Sequence, residues 1–578
     1  MEPLESETGG ATKTVLSRGH LGFARTLVVV CAGTAIALAP FQDPGGTEVT
    51  FTVVARESGL DFVHENGATP ERYLPETMGG GVVVFDYNND GWQDVFFVDS
   101  GSIADPGLTA GHRLYLNKGD GTFSDATRGS GIEGAGYGMG ACSADFDNDG
   151  WVDLYVTSVS ANRLYRNTGD GRFADVTRLA AVGSDRWSSS CAFGDIDNDG
   201  DVDLYVANYL DFSLANHKYC GDPAAGVRIY CDPNVYNGVP DVLYRNNGDG
   251  TFSDVSRESG IQSAEGKGLG VVFTDYDLDG WIDIYVANDL VPNFLFHNLG
   301  GGVFEEAGLT AGVAVGGDGR PLSGMGTDTG DIDGDGLPDV FVSNMDRETH
   351  SLYRNLGSGL FAEVTFGSGV GEATLPYVGW GAAFLDYDND TDMDLTIANG
   401  AVLDNVGYFR DSTYEQPNLL LRNDGAGFFE DVGPDSGAGF AIRKVSRGLA
   451  VGDMDNDGDL DILVGNNGQG PDFLRNEGGN RNNSLLIRTI GSGSNRDGIG
   501  ALLRLSVGDR VLLREVKAGS GYLGQNDLRV HFGMGDAATA TRLEIVWPGG
   551  HVDILGNVEA NQVLVVREGA GVVRRTPF

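Results

Sequence analysis

Alternation of apolar and polar positions recurs in short bursts along this chain, each set off by the same acidic phrase. After DFDNDGWVD (145–153) comes LYVTSV, and the equivalent runs elsewhere are VFFVDS, LYVANY, IYVAND, VFVSNM, LTIANG and ILVGNN. They are short, β-branched or aromatic, and bounded by turn formers, so each predicts a strand. Small-residue runs such as GMGACSA, GLGVVFT, GMGTDTG and GWGAAFL precede the phrases and predict a second strand. Two more strands follow around a GDG centre, clearest in RLYLNKGDGTFSDAT (113–127), RLYRNTGDGRFADVT (163–177) and VLYRNNGDGTFSDVS (242–256). Looser copies are LFHNLGGGVFEEAG (295–308), LYRNLGSGLFAEVT (352–365) and LLRNDGAGFFEDVG (420–433). A hairpin here needs positive φ at its centre, so the GDG is read as a turn rather than as a phosphate or metal loop.

One repeat is therefore four strands, A to D, with the acidic phrase between A and B. The phrase starts at residues 86, 145, 195, 275, 331, 386 and 453, a period near 55 residues with insertions. Seven antiparallel four-stranded units predict an all-β fold, a seven-bladed β-propeller. The last unit lacks strand D, and TFTVVARESGL (50–60) matches TFSDVSRESGI (251–261). Residues 50–55 are thus expected to supply the outer strand of blade seven and close the ring.

Within each phrase, oxygens stand at positions 1, 3, 5 and 9, with a backbone carbonyl at 7. The sets are Asp86, Asn88, Asp90, Trp92 and Asp94; Asp145, Asp147, Asp149, Trp151 and Asp153; Asp195, Asp197, Asp199, Asp201 and Asp203; Asp275, Asp277, Asp279, Trp281 and Asp283. The remaining sets are Asp331, Asp333, Asp335, Leu337 and Asp339; Asp386, Asp388, Asp390, Asp392 and Asp394; Asp453, Asp455, Asp457, Asp459 and Asp461. This is the oxygen spacing of a calcium loop, with Gly at position 6 for the bend. An EF-hand also needs flanking helices and an acid at position 12, and neither is present. Up to seven calcium ions are expected. Magnesium gives up its waters reluctantly and suits such a cage less well. Two loops depart from the pattern: Asn88 is neutral, and Thr391 takes the place of the position-6 glycine.

Composition sharpens this picture. Lys and Arg number 39 against 83 Asp and Glu, a formal net charge of −44. Nucleic acid and anionic membranes are poor partners for such a surface. The N-terminal 1–39 carries basic residues, then TLVVVCAGTAIALA (26–39) ending in an A-x-A site. It is read as an export signal cleaved after Ala39, with an uncleaved anchor as the alternative. A linker follows over 40–49, and no other segment is long and apolar enough to span a membrane. The mature chain is placed outside the cytoplasm, extracellular or periplasmic. Export favours a disulfide between Cys220 and Cys231, which bracket a loop-like segment. Cys142 and Cys191 are read as buried free thiols. No C-x-x-C occurs, and the eight His are scattered, so no zinc site is expected.

The propeller spans 50–481 in this reading. Residues 482–568 hold further strand-like runs (LLIRTI, ALLRLSV, VLLREVK, LRVHFG, RLEIVW, HVDILG and QVLVVRE) and predict a small β-sandwich or barrel, with 569–578 as a tail. Trp547-Pro548-Gly549-Gly550 reads as a strand end and tight turn.

The acidic loops after G-x-G strands resemble FG-GAP/VCBS repeats, the kind found in integrin α-subunit propellers. The stretches LDFVHENG…MGGGVVVFDYNNDGWQDVF (60–96), YCGDP…YCDPNVYNGVPDVLYRNNGDGTFSDV and the tail, with NSLLIRTIGSGSNRDGIGALLRL (483–505), REVKAGSGYLGQND, HFGMG and LEIVWPGG (543–550), resemble the ASPIC and UnbV (cartilage acidic protein-like) family. The resemblance implies a calcium-binding propeller plus a C-terminal domain and little about a ligand. Gly524 departs from it, standing where a small polar residue is expected.

Up-and-down strands put the acidic loops and GDG turns on one face and the B–C and D–A connections on the other. The insertions, 99–112, 208–241 and 398–418, all fall in B–C connections. They hold Tyr209, Phe212, Tyr219, Tyr230 and Tyr236, then Tyr408, Phe409 and Tyr414, candidate ligand anchors or packing within their own loops. Three functions follow: a calcium-binding module for a protein or glycan, including cell adhesion; a polysaccharide lyase or hydrolase; or a structural surface protein. For catalysis the most suggestive group is His64-Glu65-Asn66, but a lone His is more often structural.

Overall fold

A computed structural model describes residues 49–578 apart from 106–110, 133, 135 and 264. The export signal and nearly all of the proposed linker lie outside the described residues. Blade two shows how a repeat folds. Gly138–Ala144 pairs antiparallel with Asp153–Ser158, which pairs with Arg163–Asn167 and then with Phe173–Asp175. Seven four-stranded sheets of this order follow along the chain, the first gaining a fifth strand described below. Their A strands pack side by side around an axis, and Ser446–Gly452 of the last sheet packs back on Val82–Phe85 of the first. The ring is closed as the repeat pattern requires. Thr50–Val53 completes blade seven antiparallel to Asp472–Glu477, with Thr50 opposite Glu477 and Val53 opposite Leu474. Phe51, fully buried, sets its ring edge-on to Phe440 at 5.3 Å. The closing strand ends at Val53 because the chain turns there, Ser58 N–H bonding back to Val54.

The disulfide Cys220–Cys231 forms as expected. Cys142 and Cys191 are also joined, correcting the expectation of free thiols. They lie at facing positions on the A strands of blades two and three, with Cα atoms 5.8 Å apart. Small residues bring these strands close enough for a bridge.

The C-terminal region is a sandwich of two four-stranded sheets. Leu485, Ile487, Leu503, Leu505, Phe532, Leu543, Ile545 and Trp547 fill the space between them. The expected tail is a strand: Gly571–Pro577 pairs with Gln562–Arg567. After Trp547 the Gly550 N–H closes a turn onto its carbonyl at 2.8 Å, as the Trp-Pro-Gly-Gly signal suggests.

Sequence reasoning missed how this sandwich meets the ring. The segment 516–527, VKAGSGYLGQND, leaves the sandwich and enters the channel between the A strands. Gly524–Gln525 runs parallel to Val82–Val83 of blade one. Gln525 bonds both ways with Ser143 of blade two, and Phe193 N–H of blade three donates to Ala518 O. Gly521 and Thr327 of blade five exchange backbone bonds, and Asp527 N–H reaches Val451 O of blade seven. Blades four and six meet the segment through contacts with Gly521: a Cβ on Gly270 would lie 2.7 Å from Gly521 O, and one on Gly521 would lie 2.9 Å from Ala382 O. The small-residue A strands therefore make room for a plug. A Cβ on Gly524 would lie 2.4 Å from Leu449 O, which is why glycine stands there.

Candidate functional site

Each acidic loop is held by the same bonds. The position-1 carboxylate accepts the N–H of positions 5 and 6; for Asp145 these are Asp149 at 3.0 Å and Gly150 at 2.7 Å. The position-5 carboxylate accepts the N–H of position 7, as Asp149 does from Trp151 at 2.9 Å. The position-9 carboxylate is buried in every loop and accepts from position 2 and from an asparagine at the end of strand C. For Asp153 these donors are Phe146 at 3.1 Å and Asn167 at 2.7 Å. Position 4 takes positive φ, at Asn148 for example, and position 6 does too, even at Thr391 (φ 92°). The position-7 side chain packs on the GDG turn, so that a Cβ on Gly169 would lie 2.7 Å from the Trp151 ring.

These bonds leave acceptor capacity pointing inward. The position-3 oxygens Asp197 Oδ1, Asp277 Oδ1, Asp333 Oδ1, Asp388 Oδ1 and Asp455 Oδ1 are buried with no hydrogen-bond partner. Carboxylate oxygens of Asp145, Asp147 and Asp153, of Asp195, Asp197 and Asp199, of Asp275, Asp277 and Asp279, and of Asp331, Asp333 and Asp339 each lie within 4.8 Å of one another. Burial, reinforced by the neighbouring acids, pushes Asp145 and Asp453 up to about 8 and Asp94 up to about 9. Unmet buried oxygens and carboxylates driven toward protonation are what a cation site presents before its ion is counted. The donor set within each phrase, all oxygen, fits a divalent metal.

The strand-C asparagine, visible in the sequence as the last residue of LYRN, does more than end a strand. Asn246 Nδ2 donates to Val202 O of its own loop and to Phe146 O of the preceding blade, and its Oδ1 accepts from Gly248 of the GDG turn. Asn117, Asn167, Asn298, Asn355, Asn423 and Asn476 make the same bridges, Asn117 reaching across the ring closure to Met454 O. Position-4 asparagines add a second lock: Asn148 Nδ2 donates to Gly200 O of the next loop and Asn456 to Gly91 O.

The sandwich covers this face. Asp145 N–H donates to Asp497 and Asp275 N–H to Glu515, while Arg529 Nη2 reaches Asp453 O at 2.8 Å. At loop six Arg510 pairs with Asp392 at 2.5 Å and donates to Thr391 Oγ1 at 2.6 Å. The loop that lacks its glycine is thus braced by a guanidinium from outside the repeat.

On the opposite face the connections surround a cavity of about 490 Å³ at the mouth of the channel. Met78, Leu269, Met325 and Trp380 form its floor, and Tyr209, Tyr230, Leu403 and Phe409 its walls. Below the floor lies the plug tip: Tyr522 is fully buried, 4.9 Å from the Trp380 ring, and its hydroxyl donates to Met78 O. Arg447, also fully buried, stacks on Trp380 at 4.0 Å and donates to Thr77, Gly400, Ala401 and Ser446 carbonyls. The predicted aromatics divide. Tyr209, Tyr230 and Phe409 line the cavity. Phe212 and Tyr236 pack on each other at 5.6 Å, Tyr414 is half-buried, and Tyr219 and Tyr408 stand exposed. His64 is structural: its Nδ1 accepts from Gly468 N–H, Nε2 faces Ser100 Oγ at 2.9 Å, and burial lowers it to about 3.

A ring of sheets, each carrying an acidic loop between its first two strands, defines this molecule as a β-propeller of acidic-loop blades with a sandwich on the loop face. Residues 86–156, 145–206, 233–286, 275–342 and 331–397 match the FG-GAP-like repeat, and four of those five stretches begin at an acidic loop. Residues 491–573 match ASPIC and UnbV. The chain accordingly belongs to the FG-GAP-repeat proteins that carry an ASPIC and UnbV domain. It is similar to cartilage acidic protein 1 of Homo sapiens, 27% identical over 364 residues, covering 61% of this chain and 50% of that protein. The Mus musculus protein is also 27% identical, over 372 residues, covering 61% and 52%. The chain spans about half the length of these relatives. Among solved structures, a lectin of Agrocybe aegerita that recognises non-reducing terminal N-acetylglucosamine aligns with a TM-score of 0.37 and 16% identity, covering 61% of this chain and 79% of that one. No helix among the described residues is long and apolar enough to cross a membrane.

Proposed function

We propose that this protein is an exported, calcium-stapled propeller that binds a protein or glycan ligand on the face opposite the acidic loops. The observation that carries the calcium half is the set of buried position-3 oxygens without partners. Positions 1, 3, 5 and 9 of each loop would hold the ion, up to seven in all, and the ion supplies the positive charge that clustered carboxylates need. Calcium suits these sites better than magnesium because it accepts several protein oxygens in flexible geometry. Export accounts for the two disulfides, which persist in oxidising compartments. The ligand half rests on the aromatic-lined cavity, a concave and mostly apolar site on a rigid ring. Probing glycan and protein arrays with the full chain, with calcium and after chelation, tests it. Calcium-dependent capture that is lost on filling the cavity with Val402→Trp supports the proposal. Capture indifferent to that change, or turnover of a polysaccharide in place of capture, overturns it.

A further inference from the structure

Loop four differs from the other six in one residue that lies outside the acidic phrase. The position before the strand-C asparagine is Arg166, Arg245, Arg354, Arg422 or Arg475 in five blades and Leu116 in the first, but it is His297 in blade four. In two of the arginine blades this side chain stands over the position-3 acid: Arg166 Nη1 lies 3.7 Å from Asp147 Oδ2, and Arg354 Nη1 3.8 Å from Asp333 Oδ2. A guanidinium has donors only and cannot bind a metal. An imidazole nitrogen can.

His297 is placed to do so. Its Nδ1 lies 3.2 Å from Asp283 Oδ1 and 3.8 Å from Asp277 Oδ2. One atom from each of the three side chains falls within 4.8 Å of the others. Asp283 is fully buried, and Asp277 carries one of the buried oxygens that no donor meets. The ring of Tyr276 stands edge-on to the imidazole at 5.7 Å and fixes its plane. The His297 side chain is 25% exposed, so an ion has a way in.

Nitrogen changes which ion the site prefers. Calcium takes oxygen ligands, whereas one imidazole with carboxylates suits borderline first-row divalent ions. We propose that loop four is a mixed-donor site that takes a transition-metal dication of the zinc class through His297 Nδ1, Asp277 and Asp283, while the other six loops offer oxygen alone. This rests on reading the acidic loops as cation sites and adds a metal class for one of them. The alternative is that His297 is a counter-ion, standing in for the arginine of its neighbours.

The test uses the full chain without a histidine tag, chelated and then returned to 10 mM calcium, roughly a hundredfold above an extracellular-type Kd. Cobalt(II) is titrated and its visible absorption recorded, with zinc competing afterwards. The expected result is one tightly bound cobalt per chain despite the calcium, displaced by zinc, with affinity at least tenfold lower in His297→Arg. That variant restores the residue of five other blades and so keeps the fold. His297→Asn, with an oxygen in place of nitrogen, is expected to lose cobalt as well. No stoichiometric cobalt in the wild type, or the same binding in His297→Arg, overturns the proposal. The general loop reading fails separately, through a melting temperature that calcium leaves unchanged in both proteins.

Discussion

On the acidic-loop face every blade repeats the same hydrogen bonds, whereas on the opposite face the B–C connections differ from blade to blade in length and composition. Asp145, Asp195 and Asp453 each hold positions 5 and 6 of their loops. Tyr209, Tyr230 and Phe409 come together around a cavity from insertions of different length and composition. Repetition suits a task done at every blade, which is holding a ring closed. A binding surface needs different groups converging on one place, which is where repetition stops. The plug joins the two: it starts from the sandwich over the acidic loops and ends at Tyr522 beneath the cavity floor.

The largest effect expected from this contrast is that of calcium. With Kd near 0.1 mM and about 1 mM calcium, each site contributes about 1.4 kcal/mol, so seven independent sites give about 10 kcal/mol. For a domain of this size that is about 10 °C in melting temperature, read by calorimetry before and after chelation. The gap also depends on pH. Burial raises Asp145 and Asp453 to about 8 and Asp94 to about 9. A raised folded-state value means the metal-free fold has its full stability below the ordinary carboxylate range and loses it as pH rises through 8 to 9. Calcium takes the place of those protons, so its stabilisation widens from pH 6 to pH 9. An equal gap at both values would mean that the loops are ionised and content without an ion.

Next is the plug. Tyr522→Ala removes a fully buried ring from between the faces and is expected to cost about 3–5 kcal/mol. Tyr522→Phe, losing only the bond to Met78 O, is expected to cost about 1 kcal/mol. Denaturant unfolding separates them. If the alanine variant unfolds like the wild type, the channel segment is not part of the cooperative ring. Smaller again is a single bridge between blades. Asn246→Ala leaves the carbonyls of Phe146 and Val202 without donors, at an expected cost of about 2 kcal/mol, with the exposed neighbour Asn247→Ala as control.

How far all this was legible in the sequence follows the same division. Ring closure could be read because TFTVVARESGL copies a strand-D phrase, and Thr50–Val53 occupies that place. The acidic loops could be read because local spacing sets their geometry. The bridging role of Asn246 was hidden although the residue recurs in every blade, since its partner lies in a neighbouring repeat and strand patterning says nothing about which carbonyl a side chain meets. AGSGYLGQND lies between the strand-like runs VLLREVK and LRVHFG, with turn residues and no periodicity; only a channel lined by glycines makes it a plug. The Cys142–Cys191 bridge was hidden for a related reason: successive blades set these two small-residue strands side by side, but strand patterning says nothing about how closely they approach or which residues face each other.

The smallest expected effect on stability tests the contrast most directly. Tyr408 is 81% exposed and sits beside Phe409 at the cavity wall. Tyr408→Ala touches no repeated bond, so its melting temperature should match the wild type within about 0.5 kcal/mol of stability. An exposed aromatic next to an apolar cavity is nonetheless what a binding surface uses as an anchor, and losing one commonly costs 1–2 kcal/mol or more of affinity. Once arrays supply a ligand, the variant should hold it about tenfold more weakly, while Asn246→Ala, though less stable, should hold it as the wild type does. The reverse pattern would place recognition on the repeated face and leave the irregular one with no task but to join strands.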